Sequence, residues 1–148
     1  MSGVRCDDPR VARLVVMFET LTPADTARLA DYYTTDARFK DPFNEVQGVA
    51  AVQRIFAHMF VALDDPRFIV RDIVVQGPQC FLTWDFEFRF KRFSRELQTI
   101  RGGSHLVLDA AGRITLHRDY WDAAEELYEK LPGVGTLMRW LKRRANAT

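Results

Sequence analysis

The hydrophobic rhythm of the chain changes near its middle. Up to about residue 63 apolar positions recur every three or four residues; beyond it they alternate. In DDPRVARLVVMFETL the stripe is Val11, Leu14, Val15, Phe18 and Leu21, with Asp8 placed to cap a helix and Pro9 in its first turn. TPADTARLADYY restarts a helix, with Thr22, Pro23 and Asp25 at capping-box spacing. DARFKDPF is extended, because Pro42 pushes Asp41 out of the helical region. A third helix opens at Gly48, carries Val49, Val52, Ile55, Phe56, Met59, Phe60 and Leu63 on one stripe, and stops at Asp-Asp-Pro.

The second half predicts strands. RFIVRDIVVQ ends in a Gly-Pro turn. In QCFLTWDFEFRFKRF, Cys80, Leu82, Trp84, Phe86, Phe88 and Phe90 share one face, and Thr83, Asp85, Glu87, Arg89 and Lys91 the other. RELQTIRGGSHLVL is a further strand, its Gly102-Gly103 pair suggesting a bulge or sharp bend. DAAG turns the chain into RITLHRDYW, the last long strand, and DAAEELYEKL and GVGTLMRWLKRRA return to helix. Helices followed by a run of strands predict an α+β domain over residues 1–148, with helices covering one face of a strongly curved antiparallel sheet. Such a cone leaves room for a ligand.

Composition narrows the function classes. A length of 148 residues suits one core, and 47% apolar residues exclude disorder. Eleven Phe, three Trp and four Tyr mean either a dense core or an apolar cavity. A net charge of +1 argues against nucleic acid as a partner. Cys6 and Cys80 fit no metal spacing, and the three histidines make no metal triad, so neither metal nor cofactor is expected. The opening residues carry no apolar signal segment, and no apolar run is long enough to span a bilayer, so a cytoplasmic location is expected. At about 133–145, Leu137, Met138, Trp140 and Leu141 beside Arg139, Lys142, Arg143 and Arg144 form a basic amphipathic helix, suited to packing on the domain or to peripheral contact with an anionic membrane.

Two sets of residues carry candidate chemistry. Asp41, between Phe39 and Phe43, is either a turn former before Pro42 or a carboxylate at the mouth of an apolar pocket. His117, Asp119 and Trp121 are two apart and share a strand face. His117 is the group whose ordinary titration range lies nearest neutrality. The plain alternatives are a satisfied strand histidine and an Asp119 in a surface ion pair.

YYTTDARFKDPFNEVQG, VAAVQRIFAHMF and LVLDAAGRITLHRDYWD together resemble the nuclear transport factor 2-like superfamily, which includes SnoaL-like polyketide cyclases and ketosteroid isomerases. The likeness spans roughly residues 10 to 125. It implies a cone-shaped α+β barrel, a homodimer formed through the outer sheet face, and an apolar pocket for a small hydrophobic molecule. Asp41 matches the general-base Asp of the isomerases, while the matches for their oxyanion donors are Met17 and Ser104, which departs from the isomerase pattern. Asp119 matches an acidic residue that serves as acid or base in cyclase-like relatives. The Arg-x-Asp pair of epoxide hydrolase relatives is missing, since Gly102 and Gly103 follow Arg101. The implied catalytic set is Asp41, Asp119 and His117. The implied ligand-binding set is Met17, Phe39, Phe43, Phe56, Phe60, Trp84, Phe86, Ser104 and Trp121. Two functions stay open: an isomerase, cyclase or dehydratase moving protons on a hydrophobic carbonyl compound, or a non-catalytic module that binds an apolar ligand or a protein partner.

Overall fold

The computed structural model describes residues 6–92 and 95–126, together with Trp140 and Arg143. Helix α1 spans Pro9–Thr20, and Asp8 caps it by accepting the Arg10 N–H at 2.9 Å. Val11, Leu14, Val15, Met17 and Phe18 are its buried side. The second helical segment, Pro23–Asp31, is a 3₁₀ helix; the Thr22 N–H and hydroxyl both donate to the Asp25 carboxylate, fixing its start. Tyr32 and Tyr33 do not continue it, for β1 begins at Tyr33 and runs to Lys40. Strand β2 is Glu45–Gln47, and α2 is Val49–Ala62. No connecting loop follows α2, because β3 begins at Leu63 and runs to Gln76. The predicted stop at Asp-Asp-Pro is the start of this strand, where Asp65 takes a positive φ of 49° and the register shifts between Asp64 and Arg67.

Strands β4 (Gln79–Phe90), β5 (Gln98–Leu108) and β6 (Ile114–Tyr120) complete a six-stranded open sheet, in the order β2-β1-β6-β5-β4-β3. The four long strands from β3 to β6 pair antiparallel, as alternation predicts. One pair departs from an all-antiparallel sheet: β1 lies parallel to β6, bringing Phe39 opposite His117. The α2 and β3–β5 segments form the crossover that a parallel pair requires.

The Gly102-Gly103 pair does not make a bulge. The β4–β5 register runs unbroken through it, with Trp84 opposite Gly102 and Thr83 opposite Gly103. Close approach is the reason for both glycines. A Cβ at Gly102 would lie 2.5 Å from the Trp84 ring, and one at Gly103 2.7 Å from the Phe81 ring.

The inner sheet face and the helices share one core. Cys80, Leu82, Trp84, Phe86 and Phe88 of β4 are buried in it, against Val11, Leu14 and Phe18 of α1 and Val52 and Phe56 of α2. Burial pushes the Cys80 thiol up to about 11, so it packs as a small hydrophobe. The outer face of β3 and β4 carries ion pairs, Arg67 with Glu87 and Arg71 with Asp85, both at 2.7 Å. Among the described residues no helix is long and apolar enough to cross a membrane. A last short helix, α3, spans Ala123–Glu126. Of the basic helix expected at about 133–145, only Trp140 and Arg143 are described, both in helical backbone; the rest lies outside the described residues.

Candidate functional site

A cavity of about 340 Å³ opens between α2 and the inner face of the sheet. Its walls are largely aromatic. Phe39 comes from β1, Phe56 from α2, Phe68 from β3, and Trp84, Phe86 and Phe88 from β4. Ile55, Met59 and Ala62 of α2 and Ile100 of β5 add aliphatic surface. Asp41, Phe43 and Asn44 from the β1–β2 turn, with His58 and Trp121, line its outer part. Beneath it a void of about 20 Å³ reaches Phe18, Ser104 and His117. Asp119 borders both spaces and also a groove on the rim that Lys40, Asp41 and Arg118 share.

At the base, five side chains form one hydrogen-bonded chain. Tyr33 Oη lies 2.7 Å from His117 Nδ1. His117 Nε2 lies 2.7 Å from Asp119 Oδ1. Ser104 Oγ lies 2.5 Å from the same Asp119 oxygen, and Trp84 Nε1 lies 2.9 Å from Ser104 Oγ. An indole N–H can only donate. Ser104 therefore accepts from Trp84 and turns its own proton to Asp119. The Ser104 hydroxyl and the His117 Nε2 both converge on Oδ1; a carboxylate oxygen accepts from both when Nε2 carries the ring proton. Among the described residues no N–H or O–H meets Oδ2. Tyr33 and His117 are 1% and 2% exposed, and Phe18, Phe39 and Phe56 pack their rings on the imidazole. Burial, and after it the Asp119 charge, hold the Tyr33 hydroxyl well above its usual range, so it stays a phenol.

The sheet explains why these groups meet. Ser104 pairs with Asp119 across β5 and β6, and with Leu82 on β4, two residues short of Trp84. His117 sits two residues before Asp119 on the same face. Tyr33 reaches them because β1 runs parallel to β6.

At the mouth, Asp41 is held by its own turn. Its Oδ1 accepts from the backbone N–H groups of Phe43 and Asn44, at 2.8 and 2.6 Å, and both carboxylate oxygens accept from the Asn44 amide at 3.1 Å. Asp41 is thus a turn former and a cavity-lining carboxylate at once. Phe43, 54% exposed, meets the edge of Trp121 at a ring separation of 5.5 Å.

The structure sorts the residues expected from sequence. Asp41, Phe39, Phe43, Phe56, Trp84, Phe86, Asp119 and Trp121 line the cavity; Ser104 and His117 line the void beneath it. Met17 is displaced from the site: it faces a cleft with Leu21, Asp25, Arg28 and Tyr32, because one step of roughly 100° along α1 separates it from Phe18, which faces the void. Phe60 is also corrected. The cavity-facing arc of α2 runs from His58 through Ala62, Ile55 and Met59 to Phe56, and Phe60 falls roughly 40° beyond Phe56. His58, not expected at the site, lies at its edge. His105 points to the other side and meets Gln79 at 2.9 Å. Arg101 pairs with Glu126 of α3 at 2.9 Å, not with a carboxylate of the cavity. Among the described residues no group of His, Cys, Asp or Glu could hold a metal ion.

Sequence reasoning missed Tyr33, Phe68, Phe88 and Ile100. The alternating pattern already put Phe88 on the cavity face, and the aromatic excess was a second signal. No local signal marks Tyr33, because its partner lies 84 residues away.

Comparison with known proteins agrees with this fold. The SnoaL-like domain model matches residues 15–117. No curated protein matches the chain. Among solved structures, a protein of ketosteroid isomerase-like fold from Catenulispora acidiphila, in complex with trimethylamine, superposes with a TM-score of 0.70 at 12% identity, over 82% of this chain and 92% of its own. A putative SnoaL-like polyketide cyclase from Jannaschia gives 0.69 at 14% identity, over 82% and 94%. Another from Shewanella putrefaciens gives 0.66 at 19%, over 82% and 98%. At these identities the likeness is one of fold.

Proposed function

We propose, on the premise that the chain belongs to the SnoaL-like domain family, that its cavity takes a small hydrophobic carbonyl compound and that Asp119 moves a proton on it. The observation that carries this reading is the convergence of Ser104 and His117 on Asp119 Oδ1 at the base of an aromatic cavity. A carboxylate with one oxygen engaged and the other free is an oriented base. Oδ2 takes a proton from a carbon next to the carbonyl; the C–H electron pair forms the C=C bond of an enolate as the carbonyl π pair moves onto oxygen. Return of the proton to a different carbon isomerises the compound; alternatively the enolate carbon attacks a second carbonyl, whose C=O π pair moves to its oxygen, and that alkoxide takes the proton back from Asp119, closing a ring.

The base of the cavity also limits the substrate. Trp84 donates to Ser104, Ser104 to Asp119, and His117 to Asp119, so none of these donors is free for an enolate oxygen. A single oxyanion donor is worth ~10²–10³ in rate. The substrate that suits such a site delocalises its own negative charge, as a 1,3-dicarbonyl or quinone-like compound does.

The same engaged donors favour one second reading, a binding module whose cavity holds an apolar ligand without turning it over. Mass spectrometry of an organic extract from the undenatured protein identifies the compound class, and that class is then assayed with Asp119→Asn. Loss of turnover with affinity kept supports catalysis. Absence of turnover in the native protein, with tight binding, supports the binding module. An Asp119→Asn variant with native turnover rejects Asp119 as the base.

A further inference from the structure

Tyr33 has no role in the reading above, yet it is the most deeply buried polar group in contact with the site. Its hydroxyl is 2.7 Å from His117 Nδ1, and among the described residues it has no other partner. The direction of that hydrogen bond decides the state of His117. If His117 donated from Nδ1, the Tyr33 hydroxyl proton would be buried without an acceptor, at a cost comparable to any stranded buried donor. If Tyr33 donates, every group is satisfied: Nδ1 accepts, Nε2–H donates to Asp119, and the imidazole is neutral. The surroundings agree. The titratable groups on the ring are Tyr33 from β1 and Asp119 from β6; α1, β1 and α2 bring only Phe18, Phe39 and Phe56.

We infer that Tyr33 is a positioning residue for Asp119: its hydroxyl donates to His117 Nδ1, commits the imidazole to the neutral Nε2–H form, and so aims one fixed donor at Asp119 Oδ1 and leaves Oδ2 as the oxygen that meets a ligand. His117 is then no proton acceptor for a substrate, since both ring nitrogens are already engaged, Nδ1 by Tyr33 and Nε2 by Asp119. The ordinary range of a histidine favours His117 as the proton-transfer group; the wiring moves that role to Asp119. Tyr33 acts through two intervening groups and touches no ligand. The inference rests on the proposed role of Asp119, but the hydrogen bonds themselves can be read without any substrate.

The test is nitrogen-15 NMR of the histidine side chains in the full chain at neutral pH, with His117 assigned by comparison with His117→Gln. The expected result is one protonated nitrogen, Nε2, and one unprotonated, hydrogen-bonded nitrogen, Nδ1, together with a slowly exchanging hydroxyl proton coupled to Nδ1. In Tyr33→Phe that proton disappears and the Nδ1 resonance moves toward the position of an unprotonated nitrogen without a donor. A merely structural tyrosine would leave the Nδ1 signal where it was. A protonated Nδ1 in the native protein, or an Nδ1 signal unchanged in Tyr33→Phe, overturns the inference. The native spectrum alone is decisive if the variant does not fold. The expected spectrum beside unchanged turnover in Asp119→Asn would uphold the wiring and reject the proposed function, so the two failures are distinguishable.

Discussion

Asp41 and Asp119 line the same cavity, yet they are held by different kinds of structure. Asp41 is fixed within four residues, by the N–H groups of Phe43 and Asn44 and the Asn44 amide. Asp119 is fixed by Ser104 on β5, supported by Trp84 on β4, and by His117 on its own strand, supported by Tyr33 on β1. A turn of this kind forms wherever Asp precedes Pro-Phe-Asn in the right geometry. The base of the cavity exists only when the whole sheet is assembled. The mouth carboxylate is therefore local architecture that happens to face a ligand. The base carboxylate is the one whose orientation is set by the fold.

The largest test of that difference is Asp119→Asn. An amide at 119 can still accept from Ser104 and His117, so the fold is kept while the base is lost. Turnover of the cavity's substrate is expected to fall by ~10²–10⁴. Asp119→Ala differs, because it strands two buried donors, and should also lower stability by ~1–3 kcal/mol for each. If Asp41→Asn costs more turnover than Asp119→Asn, the roles of mouth and base are reversed.

Gly102→Ala sharpens the comparison from the side of packing. Its methyl would meet the Trp84 ring, which cannot give way without moving the indole N–H off Ser104. Overpacking of this kind costs ~1–3 kcal/mol. Urea unfolding measures it, and the Trp84 indole N–H resonance should shift in the same variant. An unshifted resonance would show that the Trp84–Ser104 link tolerates the change and that the base is less tightly built than the distances indicate.

Alkaline pH gives a smaller, graded effect, to which Tyr33 at the base and the buried Cys80 thiol both contribute. Tyr33 is raised well above its usual range by burial and then by the Asp119 charge. In the unfolded chain the phenol ionises near pH ~10, earlier than in the fold, so the unfolded state binds fewer protons there. The stability that Tyr33 contributes is fully present below about pH 10 and declines as pH rises toward its folded value. Tyr33→Phe should flatten that decline in denaturation curves recorded from neutral to alkaline pH. The same slope in both proteins would assign it to other groups.

Much of this was legible in the sequence, in proportion to how local each feature is. The Asp8 and Thr22 caps, the α2 stripe from Val49 to Met59 and the alternation of β4 are set within a few residues, and the structure has them; Leu63, expected to end that stripe, opens β3 instead. The common face of His117 and Asp119 also follows from period-two spacing. Pairing between distant strands does not follow from spacing. The parallel β1–β6 contact and the place of Tyr33 were hidden for that reason. The glycine pair misled because glycine serves both bulges and close approach, and only the facing Trp84 and Phe81 rings decide between them. Met17 and Phe60 were misplaced because an apolar residue on a helix can be half-buried or buried without facing the candidate cavity.

The smallest expected effect belongs to Asp41, and it completes the comparison. Asn at 41 keeps an oxygen that can accept from the Phe43 and Asn44 N–H groups, so the turn should survive with a stability change of no more than about 0.5 kcal/mol. Ala at 41 loses that acceptor, and a loss of about 1 kcal/mol is expected, as for a removed cap. Both variants leave the Tyr33–His117–Asp119 chain untouched, because none of its hydrogen bonds includes Asp41. The nitrogen-15 signals of His117 should therefore stay in place, and turnover should change little. An Asp41→Asn variant that folds normally, keeps the His117 signals and still loses most of its turnover would give the mouth carboxylate a chemical role of its own. The cavity would then work with two acid–base groups, Asp41 and Asp119, which also share the groove on its rim.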